Sequence, residues 1–358
     1  GNKTIIVIAP SASQPRYHKR VEQLANFGNI KIFSFRRGLY EENKFNSLYE
    51  FYDLGKIKDR KYYGRILKFI YAIFSVKKHI PKNSETVFYA FSLDCALIAK
   101  LSGIKLGYLE VGDLILKKGL GLLSKPIESF LFKNLEGVFF TSNAFVGEYT
   151  NSDLIQERNA FVINNKLSPF FIDRRPDIKN ISETTITIGL IGLLRYKRPI
   201  ERVLNFVKQN PGKIKLLCYG DGPLKQYIID NSCESIIYKG SFKNPEDLSE
   251  IYSQVDVNYV VYDNIFHNVT LAIPNKLYES AYFGIPIICA ESTHLGQVIK
   301  DWDIGDTISI ENQRLFDDKM SKYIRHSWLR NKSSNCFKIP TISLLDNGKE
   351  ILKKIFKR

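Results

Sequence analysis

At 358 residues, 44% of them hydrophobic, the chain has no low-complexity tract and is long enough for two globular domains of about 150 to 200 residues each. No apolar run approaches the roughly 18 to 20 residues of a bilayer-spanning helix; FIYAIFSV at 69–76 is the longest candidate and falls far short. The net charge of +15 is uneven, with 27 Lys and Arg against 16 Asp and Glu in residues 1–175, and 25 against 21 in residues 176–358.

GNKTIIVIAP leads straight into a strand at 4–10, an expectation of no signal peptide, and Gly1 in place of Met points to a processed start. Further strands are predicted at 30–35, 86–91, 105–110, 137–142 and 160–165, with helices over 17–27, 60–80, 93–102, 124–135 and 143–150. The densest basic segment is RKYYGRILKFIYAIFSVKKHIPK at 60–82, with seven Lys and Arg, no acid and five interleaved aromatics. At 3.6 residues per turn, Ile66, Phe69, Ile70, Ile73 and Phe74 make an apolar stripe flanked by Arg65, Lys68, Lys77 and Lys78. Two readings stand: a helix lying on an anionic membrane surface, and a core helix with a solvated basic back. Nucleic-acid binding is not expected, because no recognised motif accompanies the charge. The polar stretch 168–184, with two prolines and no periodicity, reads as a linker. A second series of strands follows at 185–192, 213–220, 235–240, 256–262, 285–290 and 306–310, and the segment 344–358 reads as a basic amphipathic helix able to dock on either half. Alternating strands and helices call for an α/β chain of two doubly wound, Rossmann-like parallel-sheet domains. Cys95, Cys218, Cys233, Cys289 and Cys336 form no CxxC pair, which indicates neither a disulfide framework nor a zinc site and fits a reducing cytosol.

In open parallel sheets, ligands bind beyond the carboxyl ends of the strands. Three loops of the second half carry chemistry there. GLLRYKRP at 192–199 gathers Arg195, Lys197 and Arg198 before a helix beginning near Pro199. YGDGP at 219–223 is a tight turn in which Gly220 and Gly222 let backbone approach a ligand. DNIFHNVTLAI at 263–273 carries His267 and Asn268 and runs into PNKLYESAYFGIPIICAE at 274–291. That last segment opens a helix at Asn275, Lys276 and Leu277, whose free first-turn N–H groups favour a diphosphate. Lys276 adds a point charge, and Glu279, one turn on, can accept two hydrogen bonds from a ribose diol. An ordinary amphipathic helix with a surface Lys and Glu is the plain alternative.

Together, the Gly-x-x-Arg-x-Lys loop at 192–197, YGDGPLKQYI at 219–228, PNKLYES and FGIPIICAE at 283–291 resemble the nucleotide-sugar-binding domain of GT-B glycosyltransferases, most closely family 4 enzymes of bacterial capsule, O-antigen and exopolysaccharide synthesis. PRYHKRVEQLANFG at 15–28, YLEVGDL at 108–114, GVFFTSNAFVGEY at 137–149 and AFVINNK at 160–166 extend the resemblance over the acceptor domain. It implies an acceptor domain at 1–172, a linker at 173–184 and a donor domain at 185–343, facing each other across a cleft. It also implies a retaining transfer; the donor motifs together with the basic, aromatic first half lead to the expectation of transfer from a nucleotide sugar to a lipid-linked saccharide at the inner face of the cytoplasmic membrane. Arg195 with Lys197 or Arg198 would neutralise the diphosphate, Glu279 would bind the ribose, and no cofactor or metal would be needed, in keeping with the lack of a DxD-like carboxylate pair. Where the family often has a second glutamate, eight positions before the first, this chain has Leu271, so His267 or Asn268 would contact the sugar. Glu110, Asp113 and His18 are candidates to orient the acceptor hydroxyl; a helix cap or a satisfied buried polar group is the alternative for each. A nucleotide-sugar epimerase or phosphorylase of the same fold and a non-catalytic membrane scaffold are the competing functions. The basic aromatic helix has no evident use in the first, and the set Arg195, Lys197 and Glu279 argues against the second.

Overall fold

The structure, a computed structural model, describes residues 3–37, 45, 47–57, 62–112, 124–133, 135–150 and 159–356. The chain forms two compact units, residues 1–164 with 347–358, and residues 165–346.

The strands of the first unit are β1 (Lys3–Ala9), β2 (Asn29–Arg37), β3 (Glu50–Ile57), β4 (Glu85–Ala90), β5 (Gly107–Val111), β6 (Leu135–Phe140) and β7 (Ala160–Val162). They pair in parallel in the order β3-β2-β1-β4-β5-β6-β7, so strand order reverses between β1 and β4. Central strands such as TIIVIA are buried along their whole length, as a sheet covered on both faces requires. β3 is absent from the predicted elements. EFYDLGKI has no apolar alternation, and its pairing comes instead from the β2 backbone and from the cross-strand ion pairs Lys31–Glu50 (3.2 Å) and Arg36–Asp53 (2.9 Å). Charge is what an exposed sheet edge tolerates best.

The helix Pro15–Leu24 starts on a proline whose φ suits the first turn, and buries Tyr17, Val21 and Leu24 together with Arg20. The C-terminal helix Gly348–Phe356 belongs to this unit. Its Leu352 is fully buried, and Phe356 stacks on Tyr108 (4.4 Å between ring centroids) and Phe27 (5.2 Å).

The second unit holds β8 (Ile186–Leu193), β9 (Ile214–Asp221), β10 (Ile236–Gly240), β11 (Val257–Val260), β12 (Ile287–Ala290) and β13 (Gly305–Ile308), parallel in the order β10-β9-β8-β11-β12-β13. This is the doubly wound sheet expected from the sequence, with its reversal between β8 and β11. The stretch 173–184 is fastened down within this unit. The Arg175 guanidinium donates to the carbonyls of Ala281 (2.8 Å), Tyr282 (3.0 Å), Cys336 (2.8 Å) and Ile339 (2.6 Å), at the carboxyl ends of the helices Lys276–Phe283 and His326–Lys338. Those ends carry unsatisfied carbonyls and partial negative charge, which a guanidinium meets well. Lys179 pairs with Asp256 at 3.0 Å, and Asp256 also accepts from the Thr187 N–H at 2.8 Å. Contacts made by single long side chains to distant backbone leave no periodic trace in a sequence.

Leu352→Ala should destabilise the first unit by about 2 to 5 kcal/mol, the usual cost of a buried Leu cavity. Thermal unfolding should show a lowered transition for that unit, and an unchanged melting profile would mean that the C-terminal helix contributes nothing to its core.

Candidate functional site

The carboxyl ends of β8 and β9 run side by side, Gly192 opposite Gly220 and Leu193 opposite Asp221. Both glycines have positive φ, +121 and +126, and a Cβ on Gly220 would collide with the Gly192 carbonyl. Only glycine allows this approach. The turns are locked by Leu194 N–H to Asp221 O and Leu224 N–H to Leu194 O, each 2.9 Å. Gly222 lies against the same backbone, where a Cβ would meet the Leu194 carbonyl oxygen at 2.5 Å.

Beneath this loop lies a buried ion pair. Lys276, 4% exposed, places its Nζ 2.7 Å from Oε2 of Glu279, 1% exposed, one turn along the helix Lys276–Phe283. A Cβ on Gly192 would sit 3.4 Å from Lys276 Cε, an ordinary packing distance that puts the lysine stem directly against this turn. Tyr252 Oη donates to the same Oε2 at 2.5 Å; Asn258 Nδ2 in turn donates to Tyr252 Oη (3.2 Å) and to Ser280 Oγ (2.8 Å). Burial, then the charge and hydrogen bond of Glu279, push the Tyr252 phenol well above its ordinary range, so it stays a donor. Asn275 precedes the helix in αR conformation and Leu277 is buried in the hydrophobic core. The N–H groups of Leu277, Tyr278 and Glu279 donate to the carbonyls of Pro274 (3.2 Å) and Asn275 (3.0 Å each), so these three are not the free groups expected from the sequence.

The three loop cations have different partners. Arg198 forms a two-point pair with Asp263 across the strand-order reversal, Nη2 to Oδ1 2.6 Å and Nε to Oδ2 3.3 Å. Lys197 opens the helix Lys197–Lys208, two residues before the predicted start, and faces Glu201 at 3.6 Å. Arg195 donates to the neutral Tyr196 hydroxyl at 2.6 Å, with its guanidinium over the same ring at 4.8 Å. Tyr196 packs 5.3 Å from Tyr262 and 6.0 Å from Phe266. Burial first, then Tyr196 and Glu279, raise the Tyr262 phenol, while Arg195 opposes them. His267 and Asn268 begin the short helix His267–Leu271 on the loop leaving β11.

In the first unit, Glu110 ends up fully buried at the carboxyl end of β5, its Oε1 accepting from Arg20 Nε (3.1 Å) and Nη2 (3.0 Å). Arg20 also donates to Gln23. Arg20 thus holds one carboxylate oxygen, while Oε2 is buried without a hydrogen-bond partner among the described residues. His18 bonds the Ala12 carbonyl through Nε2 at 2.9 Å and packs on Phe45. Asp113 and the side chain of Arg65 lie outside the described residues. Lys68 is half-buried beside Gly55, whereas Lys77 and Lys78 are exposed. Sequence reasoning missed Arg20, Tyr252, Asn258 and Asp263. Two signals were available: Arg20 sits on the apolar stripe of its helix, and Asn258 interrupts the apolar strand VNYV.

Lys276→Met strands the Glu279 charge and should cost about 3 to 5 kcal/mol. Adding Glu279→Leu should recover most of that stability in urea unfolding, since a buried pair can be replaced by apolar groups nearly neutrally. A double variant no more stable than the single one would remove the pair as the cause.

No family model matches the chain. It is 23% identical over 325 residues to the succinoglycan biosynthesis protein ExoL of Rhizobium meliloti (strain 1021), covering 84% of this chain and 80% of that one. Among solved structures, the lipopolysaccharide outer core galactosyltransferase WaaB in its apo form matches with TM-score 0.61 and 14% identity over 99% of both chains. HepE of Anabaena in complex with UDP and glucose matches with TM-score 0.67 and 10% identity, over 99% of this chain and all of that one. Two parallel doubly wound units, matched over their full length to these proteins, give the chain the GT-B fold of glycosyltransferases.

Proposed function

We propose that the chain is a retaining, metal-independent glycosyltransferase that moves a sugar from a nucleotide-sugar donor to a lipid-linked saccharide at the inner face of the cytoplasmic membrane, in surface polysaccharide synthesis. The observation that carries this reading is the Lys276–Glu279 pair beneath the Gly192–Arg195 loop, at the strand-order reversal where doubly wound sheets bind ligands. The UDP and glucose held by HepE and the succinoglycan role of ExoL support the donor class and the setting.

Charge supplies the chemistry. A departing nucleoside diphosphate gains negative charge, and fixed donors in a dry site stabilise it more than any other single effect. Arg195 and Lys276 are those donors; the N–H groups of Leu277, Tyr278 and Glu279 are already spent on the Pro274 and Asn275 carbonyls. Glu279 receives the ribose hydroxyls while Tyr252 and Lys276 hold its other oxygen in place. In a retaining transfer the departing phosphate can itself take the acceptor proton, so no protein nucleophile is assigned. Arg198, tied to Asp263, holds the loops after β8 and β11 together.

Thermal shifts against UDP, GDP, CDP and dTDP, with and without a divalent metal, test the donor assignment, because a ligand bound only by the native state raises the melting temperature. One nucleotide should produce a shift that is indifferent to metal. Glu279→Gln should weaken its binding by roughly 1 to 3 kcal/mol. No shift with any of the four would sink the proposal.

A further inference from the structure

The helix Tyr62–Lys78 carries its apolar surface outward. Ala72 and Val76 are buried, Phe69 and Ile73 are half-buried, and Ser102 Oγ donates to the Ile73 carbonyl at 3.1 Å, which fixes the inward face. On the other side, Ile66, Leu67, Ile70, Tyr71 and Phe74 are between 44% and 71% exposed. At about 100° per residue these positions share one face about 140° wide, and Lys77 and Lys78 extend it by a further turn. The five residues are not the stripe read from the sequence: Phe69 and Ile73 turn inward, and Leu67 and Tyr71 take their places outside. Contiguous exposed apolar surface on a helix marks a site of interaction.

Charge chooses the occupant. No Asp or Glu occurs from Arg60 to Ser84. A second copy paired symmetrically through this face would bring together two segments that are basic along their length and hold no acid, whereas a layer of lipid phosphates neutralises them. Among the described residues no helix is long and apolar enough to cross a membrane, so this one meets a bilayer lying in its plane.

We infer that the helix Tyr62–Lys78 is an insertion element for an anionic bilayer: its five exposed apolar side chains enter the interfacial layer, and Lys77 and Lys78 bind lipid phosphates. The inference rests on the membrane setting proposed above and adds that apolar insertion, beyond surface charge, holds the protein there. Tyr71 suits the interface, with an apolar ring and a polar tip.

Vesicles of phosphatidylglycerol and phosphatidylethanolamine with brominated acyl chains provide the test. In Tyr71→Trp, the new indole should be quenched on vesicle binding, over the unquenched background of Trp302 and Trp328 in the other unit. Leu67→Ser with Phe74→Ser should weaken binding by about tenfold or more, even at about 0.5 M salt where surface charge is screened. Lys77→Gln with Lys78→Gln should weaken binding chiefly at low salt. Binding that vanishes at high salt, with no quenching at position 71, overturns insertion and leaves the membrane setting standing. No vesicle binding by the wild-type chain at any salt overturns both, while the nucleotide shifts report on the donor site independently. Dimerisation abolished by the apolar substitutions, without vesicle binding, assigns the face to a second copy and overturns the inference. Circular dichroism of each variant checks that these surface changes leave the fold intact.

Discussion

Moving an ammonium and a carboxylate out of water costs several kcal/mol per ion before their attraction is counted, and Lys276 and Glu279 are both almost wholly buried. That cost dictates their surroundings. Glu279 needs a second donor, which Tyr252 supplies, and Tyr252 needs a fixed orientation, which Asn258 supplies from the middle of β11. Gly192 is required above, because its φ of +121 strains any residue with a side chain. Arg175 grips the far end of the same helix, so the element that bears the pair is held at both ends. Apolar residues of similar size would hold this helix as well or better. Keeping two ions there makes sense when a ligand is to meet them.

Positive charge around the site is divided by geometry. Arg198 is neutralised by Asp263, and Lys197 leans on Glu201. Arg195 is bonded to a neutral phenol, which costs a diphosphate little to displace. Three cations in four residues of sequence thus become one structural strut, one surface lysine and one group suited to an anionic ligand.

Around its apolar core, the first unit departs from the usual distribution of polarity in two places. An arginine and a glutamate are sealed inside, at Arg20 and Glu110, while five large apolar side chains of the helix Tyr62–Lys78 face outward. Enclosing the ion pair commits Glu110 Oε1 to Arg20 and leaves Oε2 buried without a hydrogen-bond partner among the described residues. An exposed apolar face of this kind is the surface on which the proposed bilayer insertion rests.

Local rules made much of this chain readable. Apolar runs bounded by turn residues announced the strands that are buried on both faces, because such strands bury themselves by composition alone. The spacing of Lys276 and Glu279 placed them on one side of a helix, because three residues is nearly one turn. The glycines at 220 and 222 marked a tight turn open to close approach, because other residues cannot take that conformation without strain, while the structure adds Gly192 as the backbone that Gly220 meets. Tertiary structure decided the rest. β3 exists through its pairing with β2, and its own sequence lacks a strand pattern. Arg198 and Glu110 are committed by Asp263 and Arg20, partners 65 and 90 residues away, which no local pattern can reveal. The helix Tyr62–Lys78 is apolar around most of its circumference, so periodicity could name a helix but could not say which side meets the core; packing against Ser102 and its neighbours made that choice.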